Sequence, residues 1–539
     1  MPATRINPTF FWLLIFAINL MMVLPFTRIE YPLVDTAEAI YHAKLLVLGR
    51  IPYKEIFSHH FLGYLAPYVF VEKILGFTPL VLWGLTICVN FINAVLVFLI
   101  LAKISSLHAA RIGAALIATI GWFPQWQGFS LNVQATLMPY NYAFILALVC
   151  ADKSRSSRWL GGAGILFGVM ICADIREVFF GLAALPLLLS ERNQILKKTI
   201  TFVSSAALVP GVALAYLWSH DALGDWYFQT ILYPFLFRNK GISAPASTLW
   251  ELYSTGAMRQ LPEVLLALCA TVLVWKSNCP PAYRALLLCL LVAGLCASAI
   301  GGRAFYNYLL FLGPWILLSV ASSVGDTGGT HVSQRLLRLA PVAVISLTLI
   351  GGPIRIWVET GELRPSGSYN LPARTAGRFI ERHTTPESSI LVWGYYPQLY
   401  LYSNRFSRFR ALEQLSFTGG NFESRKFSQQ GIVPAMTQNF KSCLLEFPPQ
   451  YIVRYKVRST EPFKNCSTGG RATPNLDYER IPHLAYFRKF VRDNYRLVRN
   501  YSYRCEVVRI YALNPESELR PKIAPLQQIC ASPMKLASR

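Results

Sequence analysis

Residues 79–101 read PLVLWGLTICVNFINAVLVFLIL, an apolar run without a single charged residue. A helix needs about 20 such residues to cross the hydrocarbon core of a bilayer. Similar runs recur up to about residue 356, and the whole chain is 53% hydrophobic but only 15% charged. A soluble domain carries about 25% charged residues. Because a membrane span must satisfy its own backbone hydrogen bonds, these runs predict a polytopic α-helical membrane protein.

The loops between the spans give the protein an orientation. Lysines and arginines concentrate in alternate loops, which the positive-inside rule places in the cytoplasm. The N-terminus is then cytoplasmic, and the chain after the last span lies outside the cytoplasm. We expect a multi-pass protein of the plasma (inner) membrane, surrounded by membrane lipids. About 11 spans are predicted, near residues 10–26, 79–101, 112–124, 134–151, 159–173, 178–190, 199–217, 261–275, 284–300, 308–323 and 339–356.

The net charge of +23 does not indicate a nucleic-acid partner. Much of this charge lies in the short loops between spans, where it determines topology. The sequence contains no RNA- or DNA-binding signature, so nucleic acid is excluded as a partner.

The first outer loop, residues 27–78, is more than a linker. It contains two apolar stretches, 36–48 and 61–75, that are interrupted by polar residues. These stretches predict helices that lie in the membrane interface rather than cross it.

The composition changes after residue 357, so two domains are predicted: a transmembrane catalytic domain at 1–357 and an extracytoplasmic α/β domain at 358–539. The tail shows strand-like and helix-like patterns in turn. Strands are predicted at 389–394 and 450–455, helices at 374–382 and 485–494, and a hairpin at 495–513.

The chain has 11 cysteines, and four of them, Cys443, Cys466, Cys505 and Cys530, fall in the predicted outer domain. An even number in an oxidising compartment predicts disulfides. Three pairings remain open. The others lie in or beside spans and are interpreted as small packing residues. None has the short paired spacing of a zinc site, and no metal site is predicted.

The residues that stand out chemically all lie on the predicted outer face. A carboxylate there can act as a general base on an acceptor hydroxyl. Arginines and histidines can hold a phosphate by charge-assisted hydrogen bonds. Together they suit group transfer from a lipid phosphate. The candidates are Asp35, Glu38, His59 and His60 in the first loop, Asp174, Arg176 and Glu177 between two spans, and Arg303, Asn307 and Tyr308 before the tenth span.

Each group also has a purely structural interpretation. The two acids of the first loop would favour the first turn of a helix. The Asp174–Glu177 segment would form an ion pair at a helix end. Arg303, after a Gly-Gly pair, would anchor the interface.

The first outer loop resembles that of the polyprenyl-phosphate-dependent glycosyltransferases of the glycosyltransferase C superfamily. The protein mannosyltransferases (family 39) and the aminoarabinose transferases are the most similar groups. The residues that carry the resemblance are Asp35, Glu38, Tyr41, Ala43, Gly49, Pro52, Tyr53, Leu62 and Tyr64 in the loop, Arg303, Tyr308 and Pro314 later, and Ile390–Gly394, Pro397–Tyr400 and Ser403–Arg405 in the tail.

This resemblance implies inverting transfer of a sugar from a polyprenyl-phosphate donor to a lipid, glycan or protein acceptor. It implies no cofactor, and a divalent metal is neither required nor excluded. Asp35 is expected to be the general base, with Glu38 as the second acid. The donor phosphate is expected to contact His60, Arg176 and Arg303.

Two departures from the family pattern affect these assignments. Asn307-Tyr308 stands where the family has His-Tyr, and His59-His60 replaces a Lys-Pro-type sequence. Two other function classes are alternatives for such a membrane protein, a transporter or lipid flippase and a non-catalytic envelope-assembly protein. A transporter would favour internal repeats and polar helices at mid-membrane, whereas here the ionisable residues gather on one face.

Overall fold

The computed structural model combines a bundle of apolar helices with a four-stranded sheet and the helices that pack on it. The residues it describes are 7–24, 27, 30–31, 34–120, 131–233, 268–269, 271–272, 274–275, 280–300, 310–325, 371–394, 396–410, 432–457, 485–503 and 506–519.

The helices of the described chain are numbered in sequence order. They are α1 (Pro8–Val23), α2 (Val34–Val47), α3 (Ala66–Leu75), α4 (Pro79–Ile104), α5 (Leu107–Ile120), α6 (Val133–Ser154), α7 (Ser157–Ala173), α8 (Leu185–Leu188), α9 (Ile195–Ser219), α10 (Leu223–Tyr227), α11 (Pro281–Ala299), α12 (Gly313–Gly325), α13 (Leu371–Arg382), α14 (Gln398–Ser403), α15 (Ile432–Glu446) and α16 (Ala485–Asn494).

Several of these helices are suited to a bilayer. In the described part of the chain, α4, α6, α11 and the segment Arg192–Ser219 are long and apolar enough to span it, and shorter apolar helices accompany them. The outward side chains of α9 are apolar, with Leu196 74% and Trp218 75% exposed. Such a surface fits lipid rather than water, and the protein is a multi-pass membrane protein. The number of spans and their orientation stay predictions.

Helices α7 and α9 approach each other unusually closely. A Cβ atom on Gly164 would lie 2.5 Å from the Phe202 carbonyl oxygen, and one on Gly168 would lie 2.4 Å from that of Ala206. Small residues four apart allow backbones to pack tightly where no hydrophobic effect drives helices together. This contact fixes the end of α7, which leads directly into Asp174.

One predicted span differs from expectation. Residues 178–190 were predicted as a regular helix, but the chain forms a 3-10 helix at Ile175–Ala184 and then only the short α8. This tighter winding packs against α11, with Phe180 and Ala184 fully buried. Hydropathy identified an apolar segment but could not distinguish these two helix types.

The helices of the first loop form where the sequence predicts them, but α2 is not interfacial. It is enclosed by protein, since nine of its residues are buried, among them Ala37, Ile40 and Tyr41. Gly49, with φ +85°, ends this helix in the left-handed conformation that favours glycine. Helix α3 does fit an interface, because Phe70 and Ile74 are exposed.

The sheet comprises β1 (Ile390–Trp393), β2 (Tyr451–Val457), β3 (Tyr495–Tyr503) and β4 (Glu506–Leu513). Its order is β1-β2-β4-β3, with β1 and β2 parallel and the other neighbours antiparallel. The predicted strands, both predicted helices and the terminal hairpin are confirmed. The domain boundary near residue 357 falls outside the described residues.

The sheet and the first loop share one apolar core. Tyr41 and Leu45 of α2 pack with Val392, Val453 and Ile510 of the sheet. Helix α2 therefore lies between the membrane bundle and the C-terminal sheet.

Cys443 on α15 is disulfide-bonded, and its partner lies outside the described residues. The prediction of a disulfide in the C-terminal region is thus confirmed, and the pairing stays open.

Candidate functional site

Asp35 lies in the first turn of α2, with its side chain accessible to solvent. Protein atoms nevertheless surround the carboxylate closely enough that their desolvation raises its pKa above the ordinary value. Among the described residues, none donates a hydrogen bond to it or pairs with it. Asp35 therefore does not act as a hydrogen-bonding helix cap. An accessible carboxylate with a raised pKa is a good general base.

Behind Asp35, Glu38 and His42 form a buried acid–imidazole pair. Glu38 is 4% exposed and His42 is 1% exposed, and His42 Nδ1 lies 3.8 Å from Glu38 Oε1. Burial, with a smaller effect of nearby His59, lowers the pKa of His42 to about 3. The imidazole is therefore neutral at physiological pH. Neither of its nitrogens has a hydrogen-bond partner within the described chain.

The pair of histidines from the first loop reaches the same region. The rings of His59 and His60 are in contact, with their centroids 4.0 Å apart and their planes tilted by 39°, and His60 lies edge-on to Tyr64 at 6.2 Å. Burial raises the pKa of Tyr64 well above its usual range, and Glu38 and Asp35 contribute to this rise. The phenol is thus within electrostatic reach of both carboxylates. The structure therefore brings the two acids and the two histidines of the first loop into one region around Tyr64.

The end of α7 packs directly against this loop. A Cβ atom on Gly63 would lie 2.4 Å from the Cys172 carbonyl oxygen, so only glycine fits there. Asp174 follows two residues later. The two outer segments that the sequence singled out are therefore neighbours in space.

Within the segment Asp174–Glu177, Asp174 and Arg176 form a buried ion pair. Arg176 Nε lies 2.9 and 3.0 Å from the two carboxylate oxygens of Asp174, and its Nη2 donates to Oδ2. Both side chains are less than 8% exposed, and the guanidinium also lies over the Phe311 ring at 5.0 Å. The predicted ion pair is confirmed, and the predicted contact between Arg176 and the donor phosphate stays a prediction.

Glu177 points the other way, into the bundle. It is fully buried, and its Oε1 accepts a hydrogen bond from Asn141 of α6 at 3.3 Å, while Oε2 has no partner in the described chain. Glu177 is therefore a hydrogen-bonding group of the bundle interior.

Three candidates, Arg303, Asn307 and Tyr308, lie outside the described residues. Within the described part, no group of three or more histidine, cysteine, aspartate or glutamate side chains is arranged to hold a metal ion.

Sequence analysis missed His42 as a site residue, although a signal was present. His42 follows Glu38 by four residues and Asp35 by seven, so all three lie on one face of a helix. It also missed Gln229 and Arg410, which hold the histidine loop from distant parts of the chain. No local pattern marks either of these residues.

Two kinds of similarity to known proteins agree with this arrangement. Residues 65–218 match the family of dolichyl-phosphate-mannose-protein mannosyltransferases. The match covers less than half of the chain and begins after the acids of α2. No curated protein sequence matches the chain significantly.

Solved structures extend the similarity to nearly the whole chain. Arabinofuranosyltransferase AftD from Mycobacteria superposes with a TM-score of 0.53 at 12% identity, covering 95% of this chain and 40% of that one. ArnT from Cupriavidus metallidurans gives 0.51 at 12% identity, covering 94% and 98%. The matched family and both structures belong to the glycosyltransferase C superfamily. The chain has the glycosyltransferase C fold.

The superfamily inferred from the first-loop motif is thus confirmed. The chain spans less than half the length of the mycobacterial protein, so activity, substrates and partners are matters for a proposal.

Proposed function

We propose that this protein is a membrane glycosyltransferase that transfers a sugar from a polyprenyl-phosphate donor to an acceptor hydroxyl on the outer face of the plasma membrane. The observation that carries the proposal is the state of Asp35. It is an accessible carboxylate with a raised pKa and no cationic partner among the described residues. A structural acid would instead be paired, as Asp174 is.

The proposed step is a single displacement. Asp35 accepts the proton of the acceptor hydroxyl while that oxygen bonds to the anomeric carbon of the donor sugar. The bond between the anomeric carbon and the phosphate oxygen breaks, and its electron pair leaves with the polyprenyl phosphate. Configuration at the anomeric carbon inverts, and no cofactor takes part. General-base assistance of this kind contributes roughly 100- to 10,000-fold to a rate.

The leaving phosphate gains negative charge in this step, so it needs nearby donors. His59 and His60 are half-buried, and His60 contacts Tyr64, which lies within electrostatic reach of Asp35 and Glu38. This placement suits the two histidines to this role. Arg176 is already bidentate to Asp174, so it would stabilise the phosphate mainly through its field. Arg303 is proposed as a further contact.

Glu38 and His42 support Asp35 rather than replace it. Glu38 is buried against His42, whereas Asp35 is open to a substrate. Desolvation by the surrounding protein atoms raises the pKa of Asp35, and a higher pKa makes the carboxylate a stronger base.

The choice of donor is supported by the name of the matched family. The matched family is named for dolichyl-phosphate-mannose, a polyprenyl-phosphate sugar. The acceptor, whether lipid, glycan or protein, stays open.

The experiment that tests this function uses purified protein in lipid nanodiscs with polyprenyl lipids extracted from the native membrane. We expect the protein to convert one polyprenyl-phosphate sugar to free polyprenyl phosphate when native acceptor is present, as measured by mass spectrometry. Intact donor that moves between leaflets without losing its sugar would indicate a flippase instead. No change in any polyprenyl lipid would leave the assembly-protein interpretation.

A further inference from the structure

The loop that leads to His59 and His60 is fixed at Tyr53. This residue adopts φ +61°, a left-handed conformation that is uncommon for a bulky side chain. Such a backbone persists only where its surroundings hold it in place. The contacts of Tyr53 therefore show what fixes the loop.

Gln229 holds the loop from one side. It is fully buried in the π-helical turn Phe228–Leu232, directly after α10. Its Nε2 donates to the Tyr53 carbonyl oxygen at 2.7 Å, and its Oε1 accepts from the Ser58 amide at 2.9 Å. One side chain thus connects both ends of residues 53–58. Such π-helical turns occur often at functional sites.

Arg410 holds the same loop from the C-terminal region. Its Nη2 donates to the same Tyr53 carbonyl oxygen and to Asp225 Oδ1, the latter at 2.6 Å. Its backbone carbonyl oxygen accepts from the Phe57 amide at 3.0 Å. Gln229 and Arg410 therefore donate to the same carbonyl oxygen, although they lie about 180 residues apart in the sequence.

The side chain of Tyr53 connects this fixed backbone to the histidines through hydrogen bonds. Its hydroxyl accepts from the Leu62 amide at 2.7 Å and donates to the His60 carbonyl oxygen at 3.3 Å. The His60 amide in turn donates to Ser58 Oγ at 3.2 Å. A shift of Tyr53 would consequently move the backbone that carries His60.

We propose that Gln229 and Arg410 are positioning residues that fix the His59–His60 pair for the donor phosphate. The C-terminal region thereby contributes to donor binding through a contact with the loop and not with the substrate. The phosphate part of this inference rests on the function proposed above, whereas the positioning of the loop does not.

The test compares Gln229→Leu with Thr230→Val. Leucine has a volume similar to that of glutamine but makes neither hydrogen bond. Thr230 is 4% exposed in the same turn, and within the described chain its hydroxyl bonds to the Trp226 carbonyl oxygen and not to the loop, so it is a matched control. Each protein is placed in nanodiscs, and two properties are measured. The first is the rate of hydrogen exchange in the peptides that cover residues 54–61. The second is the affinity for a polyprenyl phosphate, compared with the affinity for the matching polyprenol.

We expect Gln229→Leu to speed exchange of these peptides and to weaken polyprenyl phosphate binding about tenfold, because two hydrogen bonds to the loop are lost. Polyprenol binding should not change, and Thr230→Val should match wild type throughout. A purely structural role would lower the melting temperature but leave phosphate affinity below that temperature intact. Unchanged exchange and affinity in Gln229→Leu would overturn the proposal.

Two further variants keep the outcome interpretable. If Gln229→Leu fails to fold, Tyr53→Phe removes only the hydroxyl that bonds to the His60 backbone and should show the same pattern more weakly. His60→Ala tests the phosphate contact by itself. Wild-type phosphate affinity in His60→Ala would refute that contact, while faster loop exchange in Gln229→Leu would still support its positioning role.

Discussion

Two acidic segments lie side by side at one end of this bundle, and they differ in what surrounds them. Asp35 is accessible and has no partner among the described residues, whereas Asp174 is less than 8% exposed and bidentate to Arg176. Both segments have the composition of an active site. The contrast shows that pairing and accessibility, rather than residue type, separate a candidate base from a structural ion pair.

The largest expected effect concerns Asp35. Asp35→Asn preserves size but removes the base, so kcat should fall roughly 100- to 10,000-fold with little change in donor affinity. Asp174→Asn should reduce kcat much less when measured on protein that remains folded. Single-turnover transfer and equilibrium donor binding in nanodiscs measure the two quantities. Near wild-type turnover in Asp35→Asn would make Glu38 the next candidate.

The same assay gives a pH dependence. Desolvation by the surrounding protein atoms raises the pKa of Asp35, and a base works only when deprotonated. The rate should therefore begin to fall, as pH decreases, at a higher pH than for an ordinary carboxyl with pKa near 3.9. A rate that stays constant down to about pH 4 would argue against this assignment.

The next effect concerns the paired acid, Asp174. Asp174→Asn removes the carboxylate from the buried pair with Arg176, and breaking a buried ion pair should cost about 3–5 kcal/mol in the free energy of unfolding. Asp493→Asn is the control, because its pair with Arg492 is exposed and should contribute less than about 1 kcal/mol. Thermal unfolding in the same lipid measures both. Equal losses in the two variants would show that Asp174–Arg176 is not a structural pair.

The smallest effect concerns His42, whose pKa burial lowers to about 3. Its unfolded pKa is near 6.5, so below that pH the unfolded chain binds a proton that the folded protein does not. The contribution of the neutral His42 to the free energy of unfolding is therefore fully present above pH 6.5 and is lost as the pH falls toward 3. The loss should be about 1 kcal/mol at pH 5.5.

His42→Gln should abolish that acid-dependent loss. His383→Gln, at an exposed position, should leave it unchanged. Melting temperatures from pH 7.5 to 5 give the comparison. A pH dependence that survives in His42→Gln would mean that the imidazole already titrates normally in the folded protein.

Much of the fold was predictable because its signals are local. The apolar run at 79–101 became α4, and β1, β2 and the terminal hairpin formed where alternating patterns predicted them. Gly49 ends α2 at the position that the first-loop motif already contained. These features depend on neighbours within a few residues.

The remaining features arise from contacts between distant residues. Helix α2 looked interfacial because its polar residues alternate with apolar ones, yet the sheet covers its Tyr41 side. The candidate base Asp35 could be named from sequence, but the sequence could not show that no described residue pairs with it. Likewise, the bonds of Gln229 and Arg410 to Tyr53 span more than 170 positions of the chain, and no local pattern encodes them.

The central claim is that this protein consumes a polyprenyl-phosphate sugar by means of Asp35. The most direct measurement is mass spectrometry of polyprenyl lipids from a strain that lacks the gene, complemented with either wild-type protein or Asp35→Asn. We predict that one polyprenyl-phosphate sugar accumulates without the gene, falls to normal with wild-type protein and stays high with Asp35→Asn expressed at the same level. The account would be contradicted if no such lipid accumulated, or if Asp35→Asn restored it to normal.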